Sequence, residues 1–423
     1  MKIFKSEEMA ERPENYIGPN LNPDGLKLEP VLLANGTYAL LANEMPKDNN
    51  GVITGTDAAL VIDAGINSAV SRQIQDIASS LTDKPVRYLV NTTYHGDHTF
   101  GNAAFPPEVI IISSERNKQS MSNLAYEKNQ RSGNLRGNLS ALDDVTVWRK
   151  PDMTFSECLK IDLGGISVEL WYFGPGNAPG DTVVYVPSAR VAWTGNYLMA
   201  KGVPPMLLEG GTEPYIASLE KFKATLDVES IVPGHGPMGP AGPSVDNFIA
   251  YMHELHDHAR KAIADGLDVN AAVDAFPMSP LLHPPAGITP DPNMKAMAPH
   301  LHRLNVMAEY RALTSKQETE RRTVMNIDGN YKLNLDTPVG AQEGSMTLKA
   351  DGVSLSGTLV NARGTTEFSG GTVKGDEVEF DTRIQTPIGR LKAHVTGKVE
   401  DGHFSGDAKL PLGTAHIEGD KVA

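Results

Sequence analysis

Two imidazoles and a carboxylate within four residues are the makings of a metal site. The run Asn91-Thr92-Thr93-Tyr94-His95-Gly96-Asp97-His98 provides them, on the loop that follows the apolar stretch Val86–Val90. In its complete form, His-x-His-x-Asp-His, this signature supplies ligands to two adjacent metals. Here Thr93 stands where the first histidine would be. The rest of the chain therefore decides between two metals, one metal and none.

Four further segments carry residues of the same chemical kind: Asp63-Ala64-Gly65, Gly174 to Thr182, Trp193-Thr194-Gly195-Asn196 and Val232-Pro233-Gly234-His235-Gly236. Together with the histidine loop, and in this order, they resemble the metallo-β-lactamase-fold superfamily over roughly residues 30–260. The resemblance implies an αββα sandwich with ligands at strand ends along one edge. It assigns Thr93, His95 and Asn177 to one metal, and Asp97, His98, Asn196 and His235 to the other. A catalytic zinc-type site needs about three good ligands and an open position. The first set offers only His95. The second offers Asp97, His98 and His235, with the Asn196 carbonyl oxygen as an uncharged addition.

One metal per chain is therefore expected, with zinc as the default and manganese or iron able to use the same ligands. Its hydroxide would attack an electrophilic carbon. His95, released from ligation, is expected to act as general base or as donor to developing charge, with Asp97 the other catalytic group. Asp63 is expected to fix the tautomer of a ligand imidazole. Thr93, Asn177 and Tyr94 are the candidates for substrate contact. The ligand pattern also resembles that of hydrolytic chlorothalonil dehalogenases, which share the fold.

These expectations add up to a mononuclear hydrolase of a small apolar substrate, acting by dehalogenation or by ester or lactone hydrolysis. Two readings compete with it: a lyase or isomerase using the metal as Lewis acid, and a non-catalytic binding protein that kept the fold.

The elements that must position these residues follow from periodicity. Helical spacing of Val70, Ile74, Ile77 and Leu81 predicts a helix over 67–81 with Asn67 or Ser68 as cap. Strands alternate with helices up to a helix over 246–265, which gives an α/β class. Residues 113–150 are polar and poorly periodic, and suggest an insertion over the site. A Pro-rich break at 277–292 is bordered by Met278, Leu281, Leu282, Met294 and Met297, an adaptable apolar wall. From residue 327, short alternating strands with Gly turns predict a small antiparallel β domain, a sandwich or open barrel. The expected division is an extended arm (1–29), a catalytic domain (30–326, helical from 246) and the β domain (327–423).

At 423 residues the chain is long enough for two or three cores. Its formal net charge of −14 argues against nucleic acid and anionic membranes as partners. The single cysteine, Cys158, excludes an internal disulfide framework and reads as a buried hydrophobe. The start lacks the apolar run of a signal peptide, so the cytoplasm is the expected compartment. A homodimer is expected only as the commonest assembly. His253, His256 and His258 read as an exposed helix face, and His283, His300 and His302 as surface positions.

Overall fold

The computed structural model describes residues 16–208, 210–285, 289, 291–337, 340–386, 389–411 and 413–422, with backbone alone over 317–326. Two compact units divide the chain, Met1–Leu313 and Thr314–Ala423.

The first unit opens with four antiparallel strands, β1 (Leu28–Ala34), β2 (Thr37–Ala42), β3 (Asn50–Thr54) and β4 (Ala59–Ile62). The helix α1 (Ser68–Leu81) then crosses over to β5 (Val86–Val90), parallel to β4. Asn67 caps α1, its side chain accepting from the Val70 amide, as the helical spacing predicts. A single turn, α2 (Gly96–Thr99), follows β5, and β6 (Ile110–Ser114) extends the sheet. The polar stretch after β6 folds into α3 (Glu115–Ser120) and α4 (Leu124–Ser132) before β7 (Met153–Phe155) closes this seven-stranded sheet.

A second sheet of six strands is built from β8 (Cys158–Asp162), β9 (Ser167–Trp171), β10 (Val183–Val186), β11 (Val191–Gly195), β12 (Ser230–Pro233) and the short β13 (Gly239–Pro240). The helix α5 (Thr212–Thr225) links β11 to the parallel β12. After β13 come α6 (Ala241–Ala264), α7 (Val269–Ala275) and α8 (Pro292–Ile327).

Strand alternation explains how the layers stack. Along β4, Leu60 and Ile62 face the second sheet while Val61 faces the helical side. In β11, Val191 and Trp193 point between the sheets and Ala192 points to the outer helices. Strands buried on both faces read as continuous apolar runs, which is what Ala59–Ile62 shows. The result is a four-layer αββα sandwich, with one apolar layer between the sheets and one outside each.

Several details differ from the sequence expectation. Of the arm, residues 1–15 lie outside the described residues. From residue 16 the chain packs inward, and Leu21, Leu26 and Leu28 join the core around α1. Cys158 is half-buried, because it begins an edge strand. His302 is buried against Tyr251, and His256 reaches the Glu309 carboxylate at 2.8 Å, so neither is a surface group.

The second unit is a closed, eight-stranded antiparallel barrel. Its strands are β14 (Gly329–Thr337), β15 (Gly340–Asp351), β16 (Ser354–Asn361), β17 (Gly364–Lys374), β18 (Glu377–Thr386), β19 (Gly389–Glu400), β20 (His403–Leu410) and β21 (Gly413–Val422). Pairing of β14 with β21 removes the sheet edges. Tyr331, Met346, Val395 and Phe404 fill the interior. Asp401-Gly402 and Gly375-Asp376 are turns, as their composition predicts. Gly370-Gly371 instead sits inside β17, at the bulge opposite Leu355–Gly357. Among the described residues no helix is long and apolar enough to cross a membrane.

Candidate metal centre

Asp63, Asn91–His98, Asn196 and His235 leave the strands β4, β5, β11 and β12 at one edge of the sandwich. The positioning starts at Asp63, held at φ 60, a conformation non-glycine residues avoid. Its carboxylate accepts from the Thr92 amide (2.8 Å) and hydroxyl (2.7 Å), and from His98 Nδ1 (2.9 Å). With Nδ1 committed to Asp63, His98 presents Nε2 forward, and that atom has no hydrogen-bond partner among the described residues. His235 is arranged the same way: Nδ1 donates to the Pro46 carbonyl (2.8 Å), with Asp48 Oδ1 3.1 Å away.

Both Nε2 atoms converge on Asp97. Asp97 Oδ2 lies 3.6 Å from His98 Nε2 and 3.3 Å from His235 Nε2. Donors held about 2.0–2.1 Å from one ion in a tetrahedron stand about 3.3–3.4 Å apart, so the three atoms fit a zinc-sized ion. Asp48, Asp97, His98 and His235 offer ligand atoms all within 4.8 Å of one another, and all four are buried. The chemistry of the set, two imidazoles and hard carboxylates, suits a divalent metal.

Electrostatics describe what a metal would replace. Burial alone would depress the His98 imidazole, but the Asp63 and Asp97 carboxylates outweigh it and hold it up to about 10. Burial pushes the Asp48 carboxyl up to about 7, against the pull of His235. Asp97 is buried too, yet Arg131 and the histidines keep it well below the usual carboxylate range. Without metal, the surrounding carboxylates thus favour a protonated His98 imidazole.

The other sequence-derived residues divide into those at the cavity and those behind it. His95, Asn177 and Asn196 line a narrow cavity together with Asp97 and His235. Asn196 Nδ2 is 3.0 Å from His95 Nδ1. His95 Nε2, Asn177 Oδ1 and Asn196 Oδ1 lack partners among the described residues. Unmatched buried polar atoms cost about 1–3 kcal/mol each, so their clustering marks a place for a polar ligand. Thr93 is fully buried and does not line the cavity, and its hydroxyl has no hydrogen-bond partner among the described residues. Tyr94 packs in the core around α1, its ring edge-on to His95 at 4.6 Å. The first ligand set, Thr93, His95 and Asn177, thus brings one imidazole and no charged ligand, which does not fit an ion of this kind.

The apolar wall is only partly where composition placed it. Met294 and Met297 line the cavity with Met199, Val203, Met206 and Leu301. Met278, Leu281 and Leu282 pack instead against the outer helices of the second sheet.

Sequence reasoning missed Arg131, Glu127 and Asp48. Arg131, from α4, donates through Nη1 to Asp97 Oδ1 (3.1 Å) and pairs through Nε with Glu127 Oε1 (3.0 Å). Glu127 Oε1 also accepts the Gly96 amide (2.9 Å), which fixes the start of α2. The available signal was the i,i+4 spacing of Glu127 and Arg131 within a capped helix. Asp48 could be suspected only from the polar run Asp48-Asn49-Asn50 amid strands. Asn49 then ties that loop to the His235 loop, through the Pro233 and Gly236 carbonyls.

Comparison with known proteins agrees with this fold. Residues 48–235 match the family model described as the Metallo-beta-lactamase superfamily, which supports placing this region there. A linear primary-alkylsulfatase from Pseudomonas sp. is 23% identical over 274 residues, 56% of this chain and 51% of that protein. The chain thus spans about half the length of that relative. A metallo-beta-lactamase type 2 from Bacteroides fragilis is 24% identical over 211 residues, 48% of this chain and 76% of that protein. Among solved structures, a double mutant of the sec-alkyl sulfatase PisA1 (Pseudomonas sp.) superposes with a TM-score of 0.51 at 13% identity. It covers 71% of this chain and 54% of its own, and the likeness is one of fold.

Two predictions follow from the geometry. A Cβ at Gly234 would meet His98 Cε1 at 2.8 Å and Gly195 backbone at 3.1 Å. Gly234→Ala, which removes no ligand residue but displaces the His98 ring, should therefore lower zinc affinity tenfold or more, as measured by competition with a chromogenic chelator. Because His98 is held protonated up to about pH 10, zinc must displace that proton at pH 7. Titration calorimetry in buffers of different ionisation enthalpy should show release of at least one proton per zinc, with affinity rising as pH rises. Buffer-independent heats would contradict it.

Proposed function

We propose that the chain is a mononuclear metal-dependent hydrolase acting on a small, largely apolar substrate. One observation carries this: Asp97, His98 and His235 converge beside a cavity that Asp97 and His235 line together with Met199, Val203, Met206, Met294, Met297 and Leu301. Zinc is the ion best suited to that set, and it would supply an acidified water and a Lewis acid. The two relatives described above by sequence are named as a sulfatase and a β-lactamase, both names of hydrolases, which supports hydrolysis over lyase or isomerase chemistry.

The residues divide the remaining work. Asp63 and the Pro46 carbonyl hold His98 and His235 in the tautomer that leaves Nε2 free for the ion. Arg131 occupies the Asp97 oxygen turned away from the histidines, so the carboxylate offers one oxygen only. Its charge is already matched by Asp97 and Glu127, which leaves it a positioning role. The apolar wall excludes water and orients the body of the substrate.

His95 is assigned by its neighbour. Burial, and then the Arg131 guanidinium, hold its pKa well below the usual imidazole range, so it is neutral. If Asn196 turns Oδ1 toward the ion, its Nδ2 must donate to His95 Nδ1. The proton of His95 then sits on Nε2, facing the cavity. His95 accordingly donates a hydrogen bond to charge developing on the substrate, the second of the two roles its position allows.

The electrophile we propose first is an ester or lactone carbon or a sulfate ester. The ligand resemblance to chlorothalonil dehalogenases adds an activated aryl chloride. A panel of aryl and alkyl esters, alkyl sulfates and chlorinated aromatic nitriles in oxygen-18 water tests this. Turnover with one labelled oxygen in the product supports the reading, and product without label would favour the lyase alternative. On the active substrate, His95→Ala should lower kcat about 10²–10³-fold at unchanged metal content. His95→Gln, which keeps a donor, should recover part of the loss.

A further inference from the structure

We propose that the barrel carries a second binding site, a cleft for an oxyanion group on a small organic molecule. It lies where β17 and β18 part, and it is independent of the metal centre. The two strands pair only over Thr372–Lys374 and Glu377–Glu379, and then separate. A cleft of about 870 Å³ opens beside that gap.

Its rim is cationic in a chain of net charge −14: Arg383, Arg390, Lys392 and Lys409 line it, against the carboxylates Glu367 and Asp381. Asp381 is already engaged by His394 Nδ1 at 2.9 Å. Arg383 and Lys392 stand directly opposite each other across β18 and β19. Like charges at opposed positions destabilise a sheet. Neither they nor Lys409 has an ion-pair partner among the described residues, so the repulsion is left for a ligand to relieve.

The interior side of the cleft points the same way. Thr382 follows Val378 and Phe380 on the inward face of β18 and is 8% exposed, and its hydroxyl has no partner among the described residues. Phe368, stacked on Phe380 at 3.8 Å, gives an aromatic floor. Cations at the rim, an unmatched hydroxyl and an aromatic floor together suit a phosphate, sulfate or carboxylate on a short apolar body.

The test is titration calorimetry of octyl phosphate, inorganic phosphate and octanol into the full chain, kept in chelator so that the metal centre is out of play. Octyl phosphate should bind at one site per chain and weaken as salt rises. R383Q/K392Q, two exposed changes, should lower its affinity tenfold or more with the thermal transition unchanged. Thr382→Val should lower it a few-fold. Displacement by inorganic phosphate supports the oxyanion site. Equal affinity in the double variant, or octanol binding as tightly as octyl phosphate, overturns it.

Discussion

The site depends on a single buried carboxylate shared between opposite demands. Asp97 gives one oxygen to the Arg131 guanidinium and aims the other at the Nε2 atoms of His98 and His235. A carboxylate 1% exposed is costly to ionise unless cations surround it. Here the Arg131 guanidinium and the His98 and His235 imidazoles surround it, from α4, α2 and the loop after β12, and so tie together segments far apart in the chain. Removing Arg131 would leave Asp97 free to turn, and the donor spacing that suits one ion would lose its anchor.

That arrangement explains why the sandwich edge is built as it is. The candidate ligands follow strands whose C-terminal ends are buried, β5 and β12, where the backbone is fixed by sheet pairing and the side chain is free to leave the core. The backing groups come from the same edge: Asp63 behind His98, and Pro46 with Asp48 behind His235. At the position of Thr93 the side chain is buried under the loop and does not line the cavity, and the neighbouring Asp181 carboxyl is raised by burial to about 7.

Much of this was legible in the sequence, and for local reasons. Five motifs in fixed order gave the sandwich and brought Asp97, His98 and His235 together, while the cap at Asn67 and the apolar spacing gave α1 its place. What escaped was non-local. Arg131 comes from a stretch whose polar composition reads as loop, and its contact with Asp97 spans 34 residues. Asp48 meets His235 across most of the unit. His256 and His302 both read as surface groups, yet α8 packs against α6, pairing His256 with Glu309 and burying His302 on Tyr251. Barrel closure likewise rests on the pairing of β14 with β21, the first and last strands of the unit, which no local pattern records.

The proposed single metal, held by Asp97, His98 and His235, is open to elemental analysis after chelator stripping, zinc reloading and exhaustive dialysis. About one zinc per wild-type chain is expected, and none retained by His235→Ala, with His95→Ala still holding one. Two zinc ions in the wild type, or a stoichiometry that falls when His95 is removed, would contradict it.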